Sequence, residues 1–166
     1  MTSPKDRTRV RRLPEKAVTD RDALDAVLDA ALVAHVGVVD DGQPYVVPMA
    51  CARDGDRLLL HGSTGSRLMR LLGAGAPTCV TVTLLDGMVY ARSAFESSMN
   101  YRSAMILGSC TALQGDDALE GLRLLTEHLL PQRWDTLRAP TRKELAATSV
   151  LAIPLSEWSV KISDGP

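Results

Sequence analysis

The chain has 166 residues, a length that suits one domain of ordinary size with a buried core. Charged residues make up 23% and hydrophobic residues 45%, a balance that excludes wholesale disorder. The net charge of −1 gives no global field that would attract nucleic acid or a membrane. No apolar stretch is long enough to span a bilayer or placed as in a signal peptide, so we expect a cytoplasmic protein.

The basic charge is concentrated in an N-terminal leader, residues 1–16. A basic arm of this kind can contact nucleic acid, but no second basic cluster or aromatic platform supports that use. We therefore favour a solvated leader or a strap over a neighbouring subunit, with residues 17–166 as a single domain. Against Asp6 and Glu15, the leader carries six basic residues: Lys5, Arg7, Arg9, Arg11, Arg12 and Lys16.

The cysteines and histidines do not have the spacing of metal ligands. Cys51, Cys79 and Cys110 are odd in number, widely separated and each within an apolar run. This pattern predicts reduced thiols in the core rather than a zinc site or a disulfide framework. The histidines are equally dispersed and indicate no metal cluster: His35, His61 and His128.

Alternating hydrophobic periods predict about eight strands with a few helices inserted between them. Strands are predicted at residues 35–39, 44–53, 57–61, 77–85, 88–95, 102–113, 150–154 and 158–162. Helices are predicted at 22–32 with Thr19 or Asp20 as N-cap, near 66–74, at 117–129, and at 141–148 with Glu144 as a capping-box partner.

Three Asp-Gly turns, at residues 41–42, 54–55 and 86–87, predict tight hairpins between neighbouring strands. Successive hairpins favour antiparallel pairing, and this many strands must close into a barrel or leave exposed edges. We therefore predict a mainly β fold, a small antiparallel barrel with peripheral helices. A Rossmann fold is excluded, because the glycine spacing is wrong and the alternation of strands and helices is missing.

The segment His61–Arg67 (His-Gly-Ser-Thr-Gly-Ser-Arg) has the composition of an anion-binding loop between a strand and a helix. First-turn N–H groups, small hydroxyls and two glycines suit an anion. Arg67 adds a planar, charged fork that matches phosphate oxygens. The alternative is a capped helix start without a ligand. We call this segment the cradle.

A second polar segment, Ser97–Ser103, lies at the mouth of an otherwise apolar strand. Tyr101 and Arg102 point to opposite faces of that strand, and Arg102 offers donors for a phosphate or a ring carbonyl. The alternative is a solvated strand end. Together with the cradle, the segment predicts a two-part site for an anion and a polar ring.

The order of three motifs resembles the pyridoxamine-phosphate-oxidase-like flavoproteins, which have the FMN-binding split-barrel fold, and is most similar to the branch that includes nitroimidazole-resistance proteins. The resemblance runs from about Arg11 to the C-terminal strands. It implies a homodimer that holds FMN in two clefts at the subunit interface. The motifs are Gly42–Met49, the cradle, and Asn100–Ser103 with the later Gly108.

The resemblance also implies which residues contact the FMN. The strand Val47–Ala50 would run past the isoalloxazine ring, the cradle would hold the phosphate, and Ser103 would reach the cofactor from the partner chain. No catalytic residue is implied. The implied cofactor-binding residues are Val47, Pro48, Met49, Ala50, His61, Gly62, Ser63, Ser66, Arg67, Tyr101, Arg102, Ser103 and Lys161.

Two positions depart from the family pattern. Leu68 stands where many relatives have a Lys after the phosphate-binding Arg, so one charge is missing unless Arg70 or Arg102 supplies it. Glu96 and Ser97 stand where the nearer branch has histidines, which leaves the substrate open. Pyridoxamine phosphate is not assigned, because that oxidase's substrate-binding residues are not recognisable.

The resemblance implies an FMN-dependent oxidoreductase that reduces a small organic acceptor, with nitroaromatic compounds as one class and a nicotinamide nucleotide as electron donor. The flavin performs the redox step while the protein positions it. Two alternatives stay open. One is a flavin-binding carrier or sensor without turnover. The other is the same barrel with a deazaflavin or with haem, for which His35 or His61 would offer an axial nitrogen.

Overall fold

The computed structural model describes residues 4–165; residues 1–3 of the predicted leader and Pro166 lie outside the described residues. In this range the strands are β1 (Ala17–Val18), β2 (Val33–Asp40), β3 (Gln43–Asp54), β4 (Arg57–Ser63), β5 (Pro77–Val89), β6 (Ser98–Ser109), β7 (Thr111–Ala112), β8 (Thr148–Pro154) and β9 (Trp158–Ser163). The helices are α1 (Pro4–Arg7), α2 (Arg21–Ala30), α3 (Arg67–Gly73), α4 (Gly115–Leu129) and α5 (Arg142–Ala147), with single 3₁₀ turns at Pro14–Lys16 and Trp134–Thr136.

The strands form an antiparallel sheet in the order β1-β9-β6-β5-β2-β3-β4-β8-β7. The sheet curls so that the end of β6 meets β8: a Cβ added at Gly108 would lie 3.4 Å from Cγ1 of Ile153. This confirms the predicted mainly β fold, an antiparallel split barrel with peripheral helices. None of the helices in residues 4–165 is both long and apolar enough to cross a membrane.

Aliphatic side chains from alternate strand positions fill the barrel. On β4, Leu58 and Leu60 face the barrel interior, whereas Leu59 faces the other side and packs with Leu125 of α4. Burying each such side chain contributes about 1.5–3 kcal/mol. The largest fully buried members of the barrel core include Leu24, Leu28, Val36, Leu58, Leu60, Leu72, Ile106, Leu151 and Ile153.

The predicted helix starts are confirmed where a capping side chain marks them. The Asp20 carboxylate accepts the Asp22 N–H at 3.2 Å at the start of α2. Thr141 and Glu144 form the predicted capping box of α5, with the Glu144 N–H donating to the Thr141 hydroxyl at 3.2 Å. Such caps contribute about 1 kcal/mol each by satisfying N–H groups that have no partner within the helix.

The predicted hairpin turn at Asp86-Gly87 is wrong. These residues lie inside β5, where a bulge between Leu85 and Gly87 shifts the register against β6. The chain reverses only after Val89, so the predicted strand at 88–95 is divided between the end of β5 and the following loop. The physical reason is that an Asp-Gly pair accommodates a β-bulge as well as a turn. Arg102 of β6 holds the bulged segment through an ion pair with Asp86.

One face of β2, β3, β5, β6 and β9 points away from the barrel core, and we call it the outer face. On it, His35 lies beside Pro48 and Thr81, and Ser103 lies beside Lys161. Exposed large apolar side chains grouped on one sheet face are a feature of interaction sites. The large apolar side chains exposed on this face are Val33, Val39, Val46, Leu85, Met88 and Met99.

The described part of the leader lies against the sheet of its own chain. Arg7 forms a two-pronged ion pair with Glu157, with N–O distances of 3.0 and 2.7 Å. The Lys161 ammonium donates to the Arg12 carbonyl at 3.2 Å. β1 then pairs with β9, so residues 7–18 cross the outer face and return along its edge.

Candidate functional site

The barrel is split beside β3. This strand pairs with β2 over Gln43–Ala50 but with β4 only over Cys51–Asp54. Within residues 4–165, the second edge of residues 44–50 therefore has no partner strand. Unpaired backbone groups on such an edge are free to bind the polar rim of a ligand. The predicted ring-binding residues Val47–Ala50 belong to this free edge.

The cradle lies across the split from the free edge of β3. Extending the β3–β4 register past Cys51 and Leu60 would bring Ala50 opposite His61, the first cradle residue. Ser66 caps α3, with its hydroxyl accepting the Met69 N–H at 3.5 Å. A side chain at Gly62 would collide with Met69, because a Cβ there would lie 2.8 Å from the Met69 Cγ.

The loop of the cradle already uses much of its backbone within the chain. The Thr64 N–H donates to the Ala147 carbonyl at 3.0 Å, and the Gly65 N–H donates to the Ser63 hydroxyl at 3.2 Å. These two N–H groups belong to the loop before α3; in the first turn of α3, whose N–H groups the sequence predicts as anion donors, the Met69 N–H is the one that the Ser66 hydroxyl caps. The capacity to bind an anion therefore depends mainly on the hydroxyls and on Arg67.

Arg67 is the cradle residue placed over the split. Its Cζ lies 4.1 Å from the centroid of the Tyr45 ring on β3, and its Nε lies 3.6 Å from an Asp40 carboxylate oxygen. Stacking on an aromatic face orients the guanidinium and leaves its N–H groups free for an anion. Tyr45 was not among the predicted site residues. Its position on a strand shortly after an Asp-Gly turn is the sequence signal that could have indicated an aromatic partner for Arg67.

The predicted residues of β6 and β9 are not brought to the cradle within one chain. β2 and β5 separate β6 from β3, so Ser103 is about 14 Å from the β3 edge at roughly 4.8 Å per strand. Tyr101 and Ser103 lie on the outer face beside Lys161, whose carbonyl accepts the Ser103 hydroxyl at 3.4 Å. One chain therefore carries the two predicted halves of the site at separate places.

Neither candidate for the missing charge after Arg67 is free. Arg102 makes two hydrogen bonds to Asp86, at 2.9 and 2.7 Å, and holds the pKa of that carboxyl below its ordinary value. Arg70 donates to the Gly65 carbonyl at 2.7 Å. Leu68 itself is a buried residue of α3. The cradle therefore retains Arg67, whose Nε lies 3.6 Å from Asp40, as the cation that is placed at the split.

Of the three free cysteines, Cys51 and Cys110 are buried, as predicted for core thiols, and Cys79 is half-buried. Burial raises the pKa of Cys51 and of Cys110 to about 11. Both are therefore protonated thiols at neutral pH and poor nucleophiles.

His61 is the half-buried histidine of the cradle. Its Nδ1 is buried and has no hydrogen-bond partner within the described part of the chain. Burial lowers the pKa of His61 below the ordinary value of 6.5, so the ring is neutral at pH 7. His35, by contrast, is exposed at the middle of the outer face.

The depressed pKa of His61 predicts a loss of stability in mild acid. The unfolded chain binds the proton first, so the contribution of His61 to the free energy of unfolding is constant above about pH 6.5 and falls as the pH drops below it, levelling off below the folded pKa. We expect His61→Asn to reduce this loss, as measured by urea unfolding at pH 7.5 and 5.0. His35→Asn is the control. An unchanged pH dependence in His61→Asn would contradict the assignment.

The chain matches a known protein family. A family model described as pyridoxamine 5'-phosphate oxidase matches residues 20–162. A search of curated proteins found no match.

Two solved structures are similar in both sequence and fold. The FAD and haem binding protein from Mycobacterium smegmatis is 49% identical, with a TM-score of 0.85, over 90% of this chain and 74% of its own. Flavocytochrome Anf3 from Azotobacter vinelandii is 40% identical, with a TM-score of 0.92, over 99% of this chain and 77% of its own.

A more distant structure shares the fold alone. It is a protein from Bacteroides thetaiotaomicron assigned to 5-nitroimidazole antibiotic resistance, 22% identical, with a TM-score of 0.73, over 88% of this chain and 86% of its own. The family match covers most of the chain, and the split barrel is the architecture that the three motifs had suggested. The chain therefore belongs to the pyridoxamine 5'-phosphate oxidase family.

Proposed function

We propose that the protein is a flavin-binding oxidoreductase whose flavin lies in the split between β3 and the cradle. The observation that carries this proposal is the placement of Arg67 over the split, opposite the free edge of β3. A flavin nucleotide has a polar ring edge and a phosphate, and the two sides of the split offer backbone groups for the former and a guanidinium for the latter.

The bound flavin would supply the hydride or electron transfer, and the residues of the split would bind and orient it. Backbone groups of Val47–Ala50 would meet the polar edge of the ring. The hydroxyls of Ser63 and Ser66 would join Arg67 at the phosphate. The motifs resemble FMN proteins, whereas the M. smegmatis relative is described as binding FAD, so the proposal covers both flavins.

A second copy of the chain would complete the site. The outer face exposes several large apolar side chains, and it also carries the predicted half-site of Tyr101, Ser103 and Lys161. In a twofold dimer these residues would reach the flavin of the partner, which would bridge the 14 Å gap estimated from strand spacing. A small organic acceptor, nitroaromatic compounds being one class, would then bind beside the flavin, with a nicotinamide nucleotide as donor.

The absorbance spectrum of the purified protein tests this proposal. We expect flavin bands that persist on gel filtration, and bleaching of those bands when NADH or NADPH is added without oxygen. Bands that bleach and recover with an organic acceptor support an oxidoreductase. Bands that neither nucleotide bleaches favour a carrier or sensor, and a colourless protein that retains neither FMN nor FAD contradicts flavin binding.

Haem is the second candidate ligand. The M. smegmatis relative is described as binding haem as well as FAD, and the A. vinelandii relative is described as a flavocytochrome. In this chain, His61 has a buried Nδ1 without a partner in residues 4–165, and His35 stands on the outer face between Pro48 and Thr81. An imidazole nitrogen is a common ligand of haem iron, so His61 or His35 would be the residue that holds a haem.

The same spectrum distinguishes haem from flavin, since bound haem adds an intense band near the blue edge of the visible range. If the band is present, we compare its position and intensity in His61→Ala and in His35→Ala. The variant in which the band shifts or disappears identifies the histidine that binds the iron. A flavin spectrum without this band in protein produced with added haem precursor would remove this candidate.

A further inference from the structure

The hairpin of β5 and β6 continues beyond the rest of the sheet as a two-stranded arm. β2 pairs with β5 only over Cys79–Thr81, and β9 pairs with β6 only from Tyr101 onward. In the described part of the chain, residues 86–100 make strand pairs with one another and with no third strand. We call residues 86–100 the arm. A two-stranded hairpin on its own is marginally stable in water, so a further contact would stabilise it.

The arm exposes apolar side chains from its base to its tip. Met88 and Met99 lie opposite each other and continue the apolar part of the outer face. Beyond them, Tyr90 is 89% exposed and Phe95, the one phenylalanine of the chain, is 98% exposed. Aromatic side chains supply large buried areas and serve as anchors in protein interfaces. Two such side chains at the end of a projecting hairpin indicate a surface that another molecule covers.

Hydrogen bonds within the tip hold the turn that carries Phe95. The Ser93 carbonyl accepts the Ser97 N–H at 3.1 Å and the Ser97 hydroxyl at 3.0 Å. At the base of the arm, the Asn100 side-chain amide donates to the Gly165 carbonyl at 2.8 Å. An anchor that is ordered before binding loses less conformational entropy when a partner covers it. The tip is therefore suited to insert Phe95 into a contact.

An apolar corner stands where β3 leaves β2 to pair with β4. The link between α2 and β2 lies there, because the Leu32 carbonyl accepts the Cys51 N–H at 3.4 Å. The C-terminal end of α4 lies beside the same link, because the His128 ring contacts the Ala31 carbonyl at 2.7 Å. The apolar residues at these places, which we call the corner, are each about half exposed: Leu32, Val33 and Leu130.

The twofold pairing proposed above brings the arm of one chain to the corner of the other. When the β2–β5 register is extended by two residues, Ser103 of β6 lies at the same height along the strands as Val33 and Ala50. A twofold axis that runs along the strands between β5 and β2 preserves this height and places Ser103 over the partner's Ala50. The arm begins three residues beyond Ser103, so it passes over the partner's link between α2 and β2.

We propose that the arm is a clasp for a second copy of this chain, in which Tyr90 and Phe95 pack on the partner's corner. The partner's arm makes the same contact in return, so each clasp forms twice. This inference rests on the proposed function, because the twofold axis is the one that brings Ser103 to the partner's split. It gives the two exposed aromatics an apolar surface to cover, and it gives the arm the third layer that the sheet does not supply.

Cross-linking of introduced thiols tests the contact between arm and corner. The variant is Ala94→Cys/Leu32→Cys, which places one thiol beside Phe95 and one in the corner while both aromatics remain. It is made with Cys79→Ser, because the other two native thiols are buried. Within one chain the tip is too far from the corner to link, since Val89 lies six residues, about 20 Å, beyond the height of Val33.

We expect a short bismaleimide to convert this variant into covalent dimers on a denaturing gel. The matched control is Ala94→Cys/Leu145→Cys, also with Cys79→Ser, in which the second thiol is at an exposed apolar position of α5 instead of the corner. The control should remain monomeric on the gel. A corner variant that gives no more covalent dimer than the control overturns the clasp, as does a link formed within one chain.

Loss of the aromatics provides an independent measurement. We expect Tyr90→Ser/Phe95→Ser to raise the dissociation constant of the dimer at least tenfold, as measured by sedimentation velocity. The control is Leu137→Ser/Leu145→Ser, which shortens two exposed apolar side chains away from the arm and the corner and should leave the dissociation constant unchanged. Circular dichroism checks that both variants are folded. A dimer that dissociates as the wild type does in the absence of both aromatics overturns the clasp.

The flavin spectrum of the same samples separates the clasp from the proposed function. A wild-type protein that forms the cross-linked dimer but binds neither FMN nor FAD overturns the proposed function and supports the clasp. A wild-type protein that binds flavin but sediments as a monomer at every concentration overturns the clasp and supports flavin binding.

Discussion

Arg67→Ala is expected to weaken the binding of FMN or FAD by roughly 10- to 150-fold. Charge-assisted hydrogen bonds to phosphate contribute about 1.5–3 kcal/mol, and no second free cation stands in the cradle to replace this one. The side chain is 56% exposed, so its removal should leave the fold intact. Titration of flavin fluorescence or absorbance measures the change.

The control for this substitution is Arg123→Ala, which removes an arginine that pairs with Glu120 on α4 instead of facing the split. It should bind flavin as the wild type does. Arg67→Lys gives a further comparison, because Lys retains the charge but loses the planar fork and the stacking on Tyr45. Unchanged affinity in Arg67→Ala would remove Arg67 from the site and leave the cradle a capped helix start.

Val46→Asp combined with Leu85→Asp is expected to convert the proposed dimer into monomers. Both side chains are exposed apolar groups of the outer face, at 67% and 61% of their full area. In a twofold interface each aspartate would appear twice, and buried unpaired charges cost several kcal/mol. We expect the dissociation constant of the dimer to rise by about 100-fold or more, as measured by sedimentation velocity across a range of concentrations.

Leu145→Asp is the control for this pair, since Leu145 is an exposed apolar residue of α5 outside the outer face. It should leave the mass in solution unchanged. Because the proposed site uses both chains, monomers of the double variant should also lose flavin. A wild-type protein that sediments as a monomer, or a double variant that remains a dimer, would contradict pairing through this face.

Local signals in the sequence predicted most of the elements. Asp20, Ser66 and Thr141 each stand directly before a helix and form the cap that satisfies its first N–H groups. The Asp41-Gly42 turn joins two strands as predicted, because Gly42 adopts a positive φ of 77° that other residues resist. Features that depend on neighbours in sequence are therefore accessible without a structure.

Features that depend on contacts between distant residues were not predicted. Asp86-Gly87 has the local chemistry of a turn, and only its pairing with β6 and with Arg102 makes it a bulge. Thr83 and Ser159 are unremarkable in sequence, and they share the outer face only because their strands, β5 and β9, both pair with β6. The sequence also could not show that Arg70 and Arg102 are held by other partners.

The free edge of β3 has a consequence for solubility. A strand edge without a partner is a template for pairing with another chain, and natural proteins protect such edges against aggregation. Pro44 and Pro48 lie on this segment, and neither can donate a backbone hydrogen bond. The edge is thus poor at recruiting a further strand while it keeps carbonyl groups that a small molecule can reach. A ligand bound there would cover the rest of this edge, so loss of the ligand would expose the protein to self-association.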